Sequence, residues 1–186
     1  WARLLELRSA EPGGHSHNVS ALTVELARRL GVSEQDLTHV YRGALLHDIG
    51  KLAIPDSVLL KPGSLNDDEW VVIRTHPVVA RDLLVSIDYL RPAAVIPYAH
   101  HEKWDGSGYP RGLKAEQIPL VARIFSVVDV WDTLKRDQPY RPAWSEAAAL
   151  EYIRSRGGLD FDPMVVDAFL ECIGDGENQS PSELSD

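Results

Sequence analysis

An imidazole and a carboxylate stand side by side at His47 and Asp48, directly after the apolar residues 44–46. Such an apolar run is typical of the buried end of a helix, and Gly50 is a typical stop signal. At a helix end the backbone can turn two neighbouring side chains into one cavity, whereas neighbours in mid-helix diverge by about 100°. A histidine beside an aspartate suits a divalent metal ion, and the carboxylate can bridge two ions. Taken alone, the pair is more often a capped helix end than a metal site.

Five further side chains could join the pair in one site. Asp129 stands inside an apolar run, where an unpaired carboxylate is costly to bury, although a backbone donor would satisfy it as well as a metal would. The other four fall at predicted helix ends, where side chains from separate helices can converge in a bundle. They are His15, His76, His100 and His101. The two adjacent histidines could instead be a surface pair, but the acid and the glycine-rich loop that follow them favour a site.

The spacing of apolar residues predicts the helices that would position these side chains. One helix ends at Gly31, and the next runs from a cap at Ser33 to His47. A helix that begins with acidic residues ends near His76, and Pro97 should kink a further helix before the histidine pair. Later helices are predicted over residues 119–135, 145–155 and 163–173. Because no segment shows strand alternation, the predicted fold class is all-α, a single helical bundle with a loop extension.

Length and composition fit one soluble domain. The chain has 186 residues, of which 44% are hydrophobic, enough for one good core. We predict a lead-in helix over residues 1–10, the domain itself over 11–173 and an acidic, disordered tail over 174–186. Because the sequence begins at Trp1 rather than Met, we expect it to be a piece of a longer protein with a regulatory domain upstream.

Charge and cysteine usage narrow the function classes. The formal net charge of −9 argues against a binder of polymeric nucleic acid or of an anionic membrane surface, although an anionic small substrate fits. No apolar run approaches membrane-spanning length, and no signal pattern is visible. The single Cys172 cannot form an internal disulfide. We therefore expect a cytoplasmic protein.

Four motifs in order resemble one known family. They are H-D-I-G-K at 47–51, the single His76, H-H-E-K-W-D-G-S-G-Y-P at 100–110, and D-V-W-D at 129–132. This series is similar to the HD-GYP domain, a subclass of the HD metal-dependent phosphohydrolases. The resemblance runs from about Glu11 to Phe169 and includes I-P-L-V-A-R-I at 118–124.

The resemblance implies a phosphodiesterase that opens the ring of cyclic di-GMP to give linear pGpG, and in some members continues to GMP. It also implies two or three divalent metal ions, of which iron or manganese best suits imidazole and carboxylate ligands without thiolates. The implied metal ligands are Glu11, His15, His47, Asp48, His76, His100, His101 and Asp129. Glu11 occupies the position that holds a third metal in some members, and Asp48 is the implied bridge.

The same resemblance assigns roles around the metals. A hydroxide held between two ions would attack the phosphorus, with Lys51 as a nearby cation and Asp132 orienting a ligand or that lysine. Tyr109, in the G-Y-P loop, would contact the substrate or dock a partner diguanylate cyclase, unless the loop only packs on the fold.

Two positions depart from the family pattern. Gln138 stands where the family usually has an arginine that could grip phosphate, although Arg141 remains and Arg136 could compensate. Asn18 replaces a second favoured arginine. These departures favour another cyclic dinucleotide, such as cyclic GMP-AMP, as an alternative substrate. They also favour an alternative function as a catalytically weak module that senses a cyclic dinucleotide or docks a partner.

Overall fold

A computed structural model describes residues 1–9, 15–137 and 141–178. Within these ranges the chain is helical without a β-strand, so the predicted all-α class is confirmed. The α-helices are α1 Ala2–Ser9, α2 His15–Arg29, α3 Glu34–Leu45, α4 Asp56–Leu59, α5 Asp67–Ile73, α6 His76–Val85, α7 Val95–Ala99, α8 Leu120–Leu134, α9 Glu146–Ser155 and α10 Pro163–Asn178. Short 3₁₀ helices cover Ile49–Ala53, Asp88–Ala94 and Ala115–Gln117. No helix in the described ranges has both the length and the apolar character needed to cross a membrane.

The main core forms around α8. This helix packs against α2, α7, α9 and α10, and its residues Ile124, Phe125, Val127 and Val128 are fully buried. Seven of the fifteen residues of α8 are buried and the other eight are partly buried, as expected for a central helix. Truncating a side chain such as Phe125 to alanine would remove about 3–5 kcal/mol of stability.

A smaller core holds α6 against the segment that follows the HD pair. Leu46, Ile49 and Leu84 are among its buried residues, and the 3₁₀ helix Ile49–Ala53 packs directly on α6. The approach is close at Gly50, where an added Cβ would come 2.0 Å from the carbonyl oxygen of His76. A glycine is needed at this position because any side chain would push the two segments apart.

Two helix starts follow from local side-chain chemistry. The Ser33 hydroxyl accepts a hydrogen bond from the backbone N–H of Asp36, which confirms the predicted cap of α3. Asn66 and Glu69 form a reciprocal capping box at the start of α5. Both caps satisfy N–H groups that the first helical turn cannot pair internally.

The structure differs from the predicted elements at three places. His76 begins α6, with proline in its first turn, instead of ending the preceding helix, because proline lacks only an N–H that the first turn leaves unpaired. Pro97 lies inside the short helix α7, which succeeds a 3₁₀ helix, so the predicted single kinked helix is two elements. Helix α10 continues to Asn178, past the boundary predicted at residue 174, and an Arg29–Asp175 ion pair of 2.8 Å holds the extra turn. The predicted tail from 179 to 186 lies outside the described residues.

Candidate metal centre

Seven side chains from separate elements converge in the interior as two adjoining groups. In each group the candidate ligand atoms lie within 4.8 Å of one another. The first group is His15, His47 and Asp129, and the second is Asp48, His76, His100 and His101. All seven were predicted from the sequence as ligands. The eighth predicted ligand, Glu11, lies outside the described residues.

Asp48 connects the two groups. Its Oδ2 atom lies 3.2 Å from Nε2 of His47, in the first group. Its Oδ1 atom lies 3.3 Å from Nε2 of His76 and 3.8 Å from Nε2 of His100, in the second group. The carboxylate therefore presents one oxygen to each group, which is the geometry that a bridging ligand requires.

Backbone carbonyl groups set the orientation of three histidine rings. The Nδ1–H groups of His47, His76 and His100 donate to the carbonyl oxygens three residues earlier, at 2.8, 2.8 and 2.9 Å. A ring that donates from Nδ1 carries its free lone pair on Nε2 when neutral. In all three rings Nε2 faces Asp48, so the lone pairs point to the place where a metal ion would bind.

Asp132 and Arg136 orient His15 from outside the ligand groups. His15 Nε2 lies 3.5 Å from Asp129 Oδ1, and its Nδ1 is hydrogen-bonded to Asp132. Arg136 in turn donates to both oxygens of Asp132 through Nε and Nη2. Although burial alone would lower it, hydrogen bonds to the two carboxylates and their charges raise the pKa of His15 to about 10. The two carboxylates therefore favour the protonated form of His15 when no metal ion is bound to it.

The second group favours neutral imidazoles. Burial, together with the neighbouring rings, lowers the pKa of His100 to about 3 and that of His101 well below its ordinary value. Burial also lowers the pKa of His76. Despite its own burial, Asp48 has a pKa well below the ordinary value because Lys51 and His47 stabilise the carboxylate. Neutral imidazoles and ionised carboxylates are the ligand forms that divalent metals take, so the residues of the second group fit the metals that the fold implies.

Lys51, on the following 3₁₀ turn, contacts the carboxylate of Asp48. Its Nζ atom lies 2.5 Å from Oδ2 of Asp48, and the side chain is partly buried. A partly desolvated ammonium group at this distance acts more strongly on the site than it would in water. The structure thus places the predicted catalytic cation directly beside the two ligand groups.

The G-Y-P loop lies against His101. The Tyr109 ring stacks on the imidazole with 4.7 Å between ring centroids and 25° between planes. Its backbone N–H donates to the carbonyl of His101 at 3.1 Å. A Cβ added at Gly108 would come 2.4 Å from the backbone nitrogen of Lys103, so the loop can approach this closely only with glycine there.

Glu102 secures this loop, a role that the sequence analysis missed. The side chain is buried, and its two carboxylate oxygens accept hydrogen bonds from the backbone N–H groups of Arg111 and Leu113, at 2.8 and 2.9 Å. The available signal was an acid directly after the histidine pair and before a glycine-rich loop, whose unpaired N–H groups need acceptors.

Of the remaining predicted substrate contacts, the structure describes Arg141 but not Gln138. Arg141 donates to the carbonyl groups of Thr133 and Leu134 at the end of α8, at 2.9 and 3.2 Å, and so satisfies unpaired groups of the helix terminus. Its contact with a substrate stays a prediction. Gln138 lies outside the described residues. A cavity of about 350 Å³ adjoins the centre and is lined in part by His100, His101, Tyr109, Asp129, Thr133 and Tyr152.

The fold and this histidine–aspartate centre define an HD domain: residues 1–165 match the family of that description, and the chain belongs to it. Its H-D-I-G-K and G-Y-P segments place it in the HD-GYP subclass, whose phosphodiesterases are among its relatives.

Similar proteins share both sequence and fold. The cyclic di-GMP phosphodiesterase response regulator RpfG of Xanthomonas campestris pv. campestris is 44% identical over 171 residues, which cover 91% of this chain and 45% of that protein. The 3'3'-cGAMP-specific phosphodiesterase 2 of Vibrio cholerae is 36% identical over 172 residues, covering 91% of this chain and 33% of that protein. The crystal structure of a cyclic GMP-AMP-specific phosphodiesterase from V. cholerae shares the fold, with a TM-score of 0.73 and 21% identity over 95% of this chain and 47% of that chain. The chain thus spans less than half the length of each of these proteins.

Proposed function

We propose that this domain is a metal-dependent phosphodiesterase that hydrolyses cyclic di-GMP to pGpG. The observation that carries the proposal is the position of Asp48, whose two oxygens face separate groups of histidine ligands. Two ions held side by side suit in-line displacement at a phosphodiester. The similarity to a named cyclic di-GMP phosphodiesterase over 91% of the chain supports the same substrate class.

The proposed cofactors are two divalent ions, iron or manganese, held by the seven ligands described above. When bound, such ions supply Lewis acidity toward the phosphodiester and a nucleophile derived from water at neutral pH. Imidazole and carboxylate ligands without thiolate fit these metals, and zinc or nickel could substitute. A third ion would need Glu11 as a ligand.

The chain's own residues would assist in distinct ways. Lys51 holds a positive charge beside Asp48, where negative charge builds on the phosphate oxygens. Asp132 accepts from Nδ1 of His15 and so keeps its Nε2 directed at the first group. Tyr109 stacks on His101 and would fix the orientation of its ring.

A second substrate belongs in the proposal because a relative at 36% identity is named as specific for 3'3'-cGAMP. Both cyclic dinucleotides carry two phosphodiesters and two purines, so the ligand groups alone do not distinguish them. Docking of a diguanylate cyclase through the G-Y-P loop stays a prediction. A cytoplasmic location also stays a prediction, and it is supported by the buried free thiol of Cys172.

The test is turnover by the purified chain after anaerobic reconstitution with ferrous iron or with manganese. Cyclic di-GMP and 3'3'-cGAMP are supplied separately, and products are separated by chromatography. Formation of pGpG, abolished by His47→Ala, is the expected result. Binding of a cyclic dinucleotide without turnover, by protein that carries a full complement of metal, would show a sensor instead.

A further inference from the structure

Arg74 lies on the aromatic surface at the edge of the metal centre. Its guanidinium carbon is 5.5 Å from the centroid of the Tyr109 ring and 5.8 Å from that of the Trp70 ring. Both distances fit cation–π contacts, which hold the guanidinium plane while leaving its N–H edges accessible. The side chain is exposed, and no carboxylate of the described residues pairs with it. Because the guanidinium group stacks on rings and pairs with no described carboxylate, its N–H groups are available to an anionic ligand.

Three other cations of the described residues that lie near the ligand groups are already engaged. Lys51 pairs with Asp48, and Arg136 pairs with Asp132. Arg141 donates to the main chain at the end of α8. Each of these contacts would have to break, or share its donors, for the cation to bind a ligand. Arg74 needs no such exchange.

Tyr109 places Arg74 one aromatic ring away from the metal ligand His101. The phenol ring contacts the imidazole and lies beneath the guanidinium group. Tyr109 therefore connects Arg74 to the second ligand group.

A cyclic dinucleotide has two phosphodiesters, and the proposed reaction at the centre cleaves one of them. The other phosphodiester keeps its negative charge throughout the reaction. A cationic side chain outside the two ligand groups would stabilise that charge in the bound substrate. An arginine suits it because the guanidinium fork can bind two phosphate oxygens. We infer that Arg74, supported by Trp70 and Tyr109, binds the phosphodiester that is not cleaved. This inference rests on the proposed function, since it assumes a substrate with two phosphates.

The test compares two substrates in the full chain loaded with manganese. Cyclic di-GMP has two phosphodiesters, whereas bis(4-nitrophenyl) phosphate has one. Arg74→Ala should raise KM for cyclic di-GMP at least ~10-fold, because it removes hydrogen bonds to a charged group. It should leave kcat, the metal content and the hydrolysis of bis(4-nitrophenyl) phosphate within about twofold of wild type. Arg74→Lys should recover part of the loss, since it keeps the charge but not the fork.

Arg42→Ala is the matched control. Arg42 also lies over a tyrosine, with 5.5 Å from its guanidinium carbon to the Tyr89 ring centroid, but among the described ring contacts Tyr89, unlike Tyr109, does not stack on a candidate ligand. It should change neither substrate's kinetics. Equal effects of Arg74→Ala on both substrates, or no effect on either, would overturn the inference. If wild type cleaves bis(4-nitrophenyl) phosphate but no cyclic dinucleotide, the proposed function fails, and the role of Arg74 fails with it.

Discussion

Asp48 Oδ1 lies 3.3 Å from His76 Nε2, across the contact between the 3₁₀ helix after the HD pair and the first turn of α6. The two residues come from segments that pack through Gly50, so the ligand distance depends on that backbone approach. The position in which Asp48 faces both ligand groups therefore depends on packing as much as on the motif that contains it.

The first prediction concerns the bridge. Asp48→Asn keeps the shape of the side chain but removes its charge, so we expect loss of bound metal together with activity. Metal per chain is measured by mass spectrometry after gel filtration. Asp88→Asn is the control, since Asp88 pairs with Arg91 at the surface. Full metal stoichiometry in the Asp48 variant would contradict the bridging role.

The second prediction separates metal binding from rate. Lys51→Met should keep the metal content of wild type and lower kcat by ~10²–10³-fold, because it removes a fixed charge beside the reacting phosphate. Lys61→Met breaks another lysine–carboxylate ion pair, with Glu69 at 2.7 Å, and none of the hydrogen bonds or ion pairs described for these two side chains involves a candidate ligand, so kcat should be unchanged. A drop in metal content that matches the drop in kcat would make Lys51 a support for Asp48 instead.

The third prediction tests the orienting role of Asp132. Asp132→Asn replaces the charged acceptor of His15 Nδ1, so metal affinity at the first group should fall ~10–100-fold. The second group should retain its affinity. Calorimetric titration of the metal-free protein with manganese measures the metal affinities of the two groups separately. Asp175→Asn, which breaks the ion pair with Arg29, is the control. Equal weakening at both groups would argue for general unfolding.

The fourth prediction concerns Gly50. Gly50→Ala would put a Cβ 2.0 Å from the carbonyl of His76, and the forced separation should destabilise the domain by ~1–3 kcal/mol. Gly174→Ala is the matched control because nothing lies within 4 Å of the added carbon and alanine favours a helix. Urea denaturation of both variants gives the free energies of unfolding. Equal stability of the Gly50 variant and wild type would show that α6 can shift without cost.

The fifth prediction is a loss of stability in acid for the metal-free protein. Burial lowers the pKa of His100 to about 3 and that of His101 well below 6.5. Below pH 6.5 these two rings are therefore protonated in the unfolded chain but stay neutral in the folded chain. Stability from these rings is complete above that pH and falls as the pH drops toward the folded values. The raised pKa of His15 acts oppositely, since its contribution declines as the pH rises from 6.5 through about 10.

The measurement is the Tm in excess chelator at pH about 5.5 and about 7.5, on either side of the first transition. We expect a lower Tm at the acidic pH and a smaller difference in His101→Gln, which removes one of the two rings. An unchanged Tm in wild type would mean that the rings are hydrated or rearranged in the metal-free state.

Local signals made much of the chain predictable. Ser33 caps α3 as expected, because a hydroxyl can bond the N–H groups of the first turn that follows it. Pro119 stands directly before α8, whose apolar run predicted a buried helix. The histidines and aspartates of the centre were recognisable as a set because their order and spacing resemble one family. These properties depend on residues close in sequence, or on a pattern of types, and need no coordinates.

Other predictions failed where distant segments decide. His76 could as well have ended one helix as begun another, and α6 forms from His76 onward because its apolar side packs on the residues after Asp48. The burial of Glu102 likewise follows from the folding back of the G-Y-P loop. A sequence shows the turn-forming residues but not what the turn will cover.

By itself, the sequence determined the class of the protein: an all-α chain whose histidines and aspartates follow the order of the HD-GYP subclass. It also predicted eight metal ligands, of which seven converge in the structure as candidate ligands. Only the tertiary structure decided how the ligands divide into two groups, which oxygen of Asp48 faces each group, and that Arg74 lies on Tyr109. The physical reason is the sequence separation over which the interactions act. Helix propensity and capping act over a few residues, whereas ligand geometry depends on packing between segments that are distant in sequence.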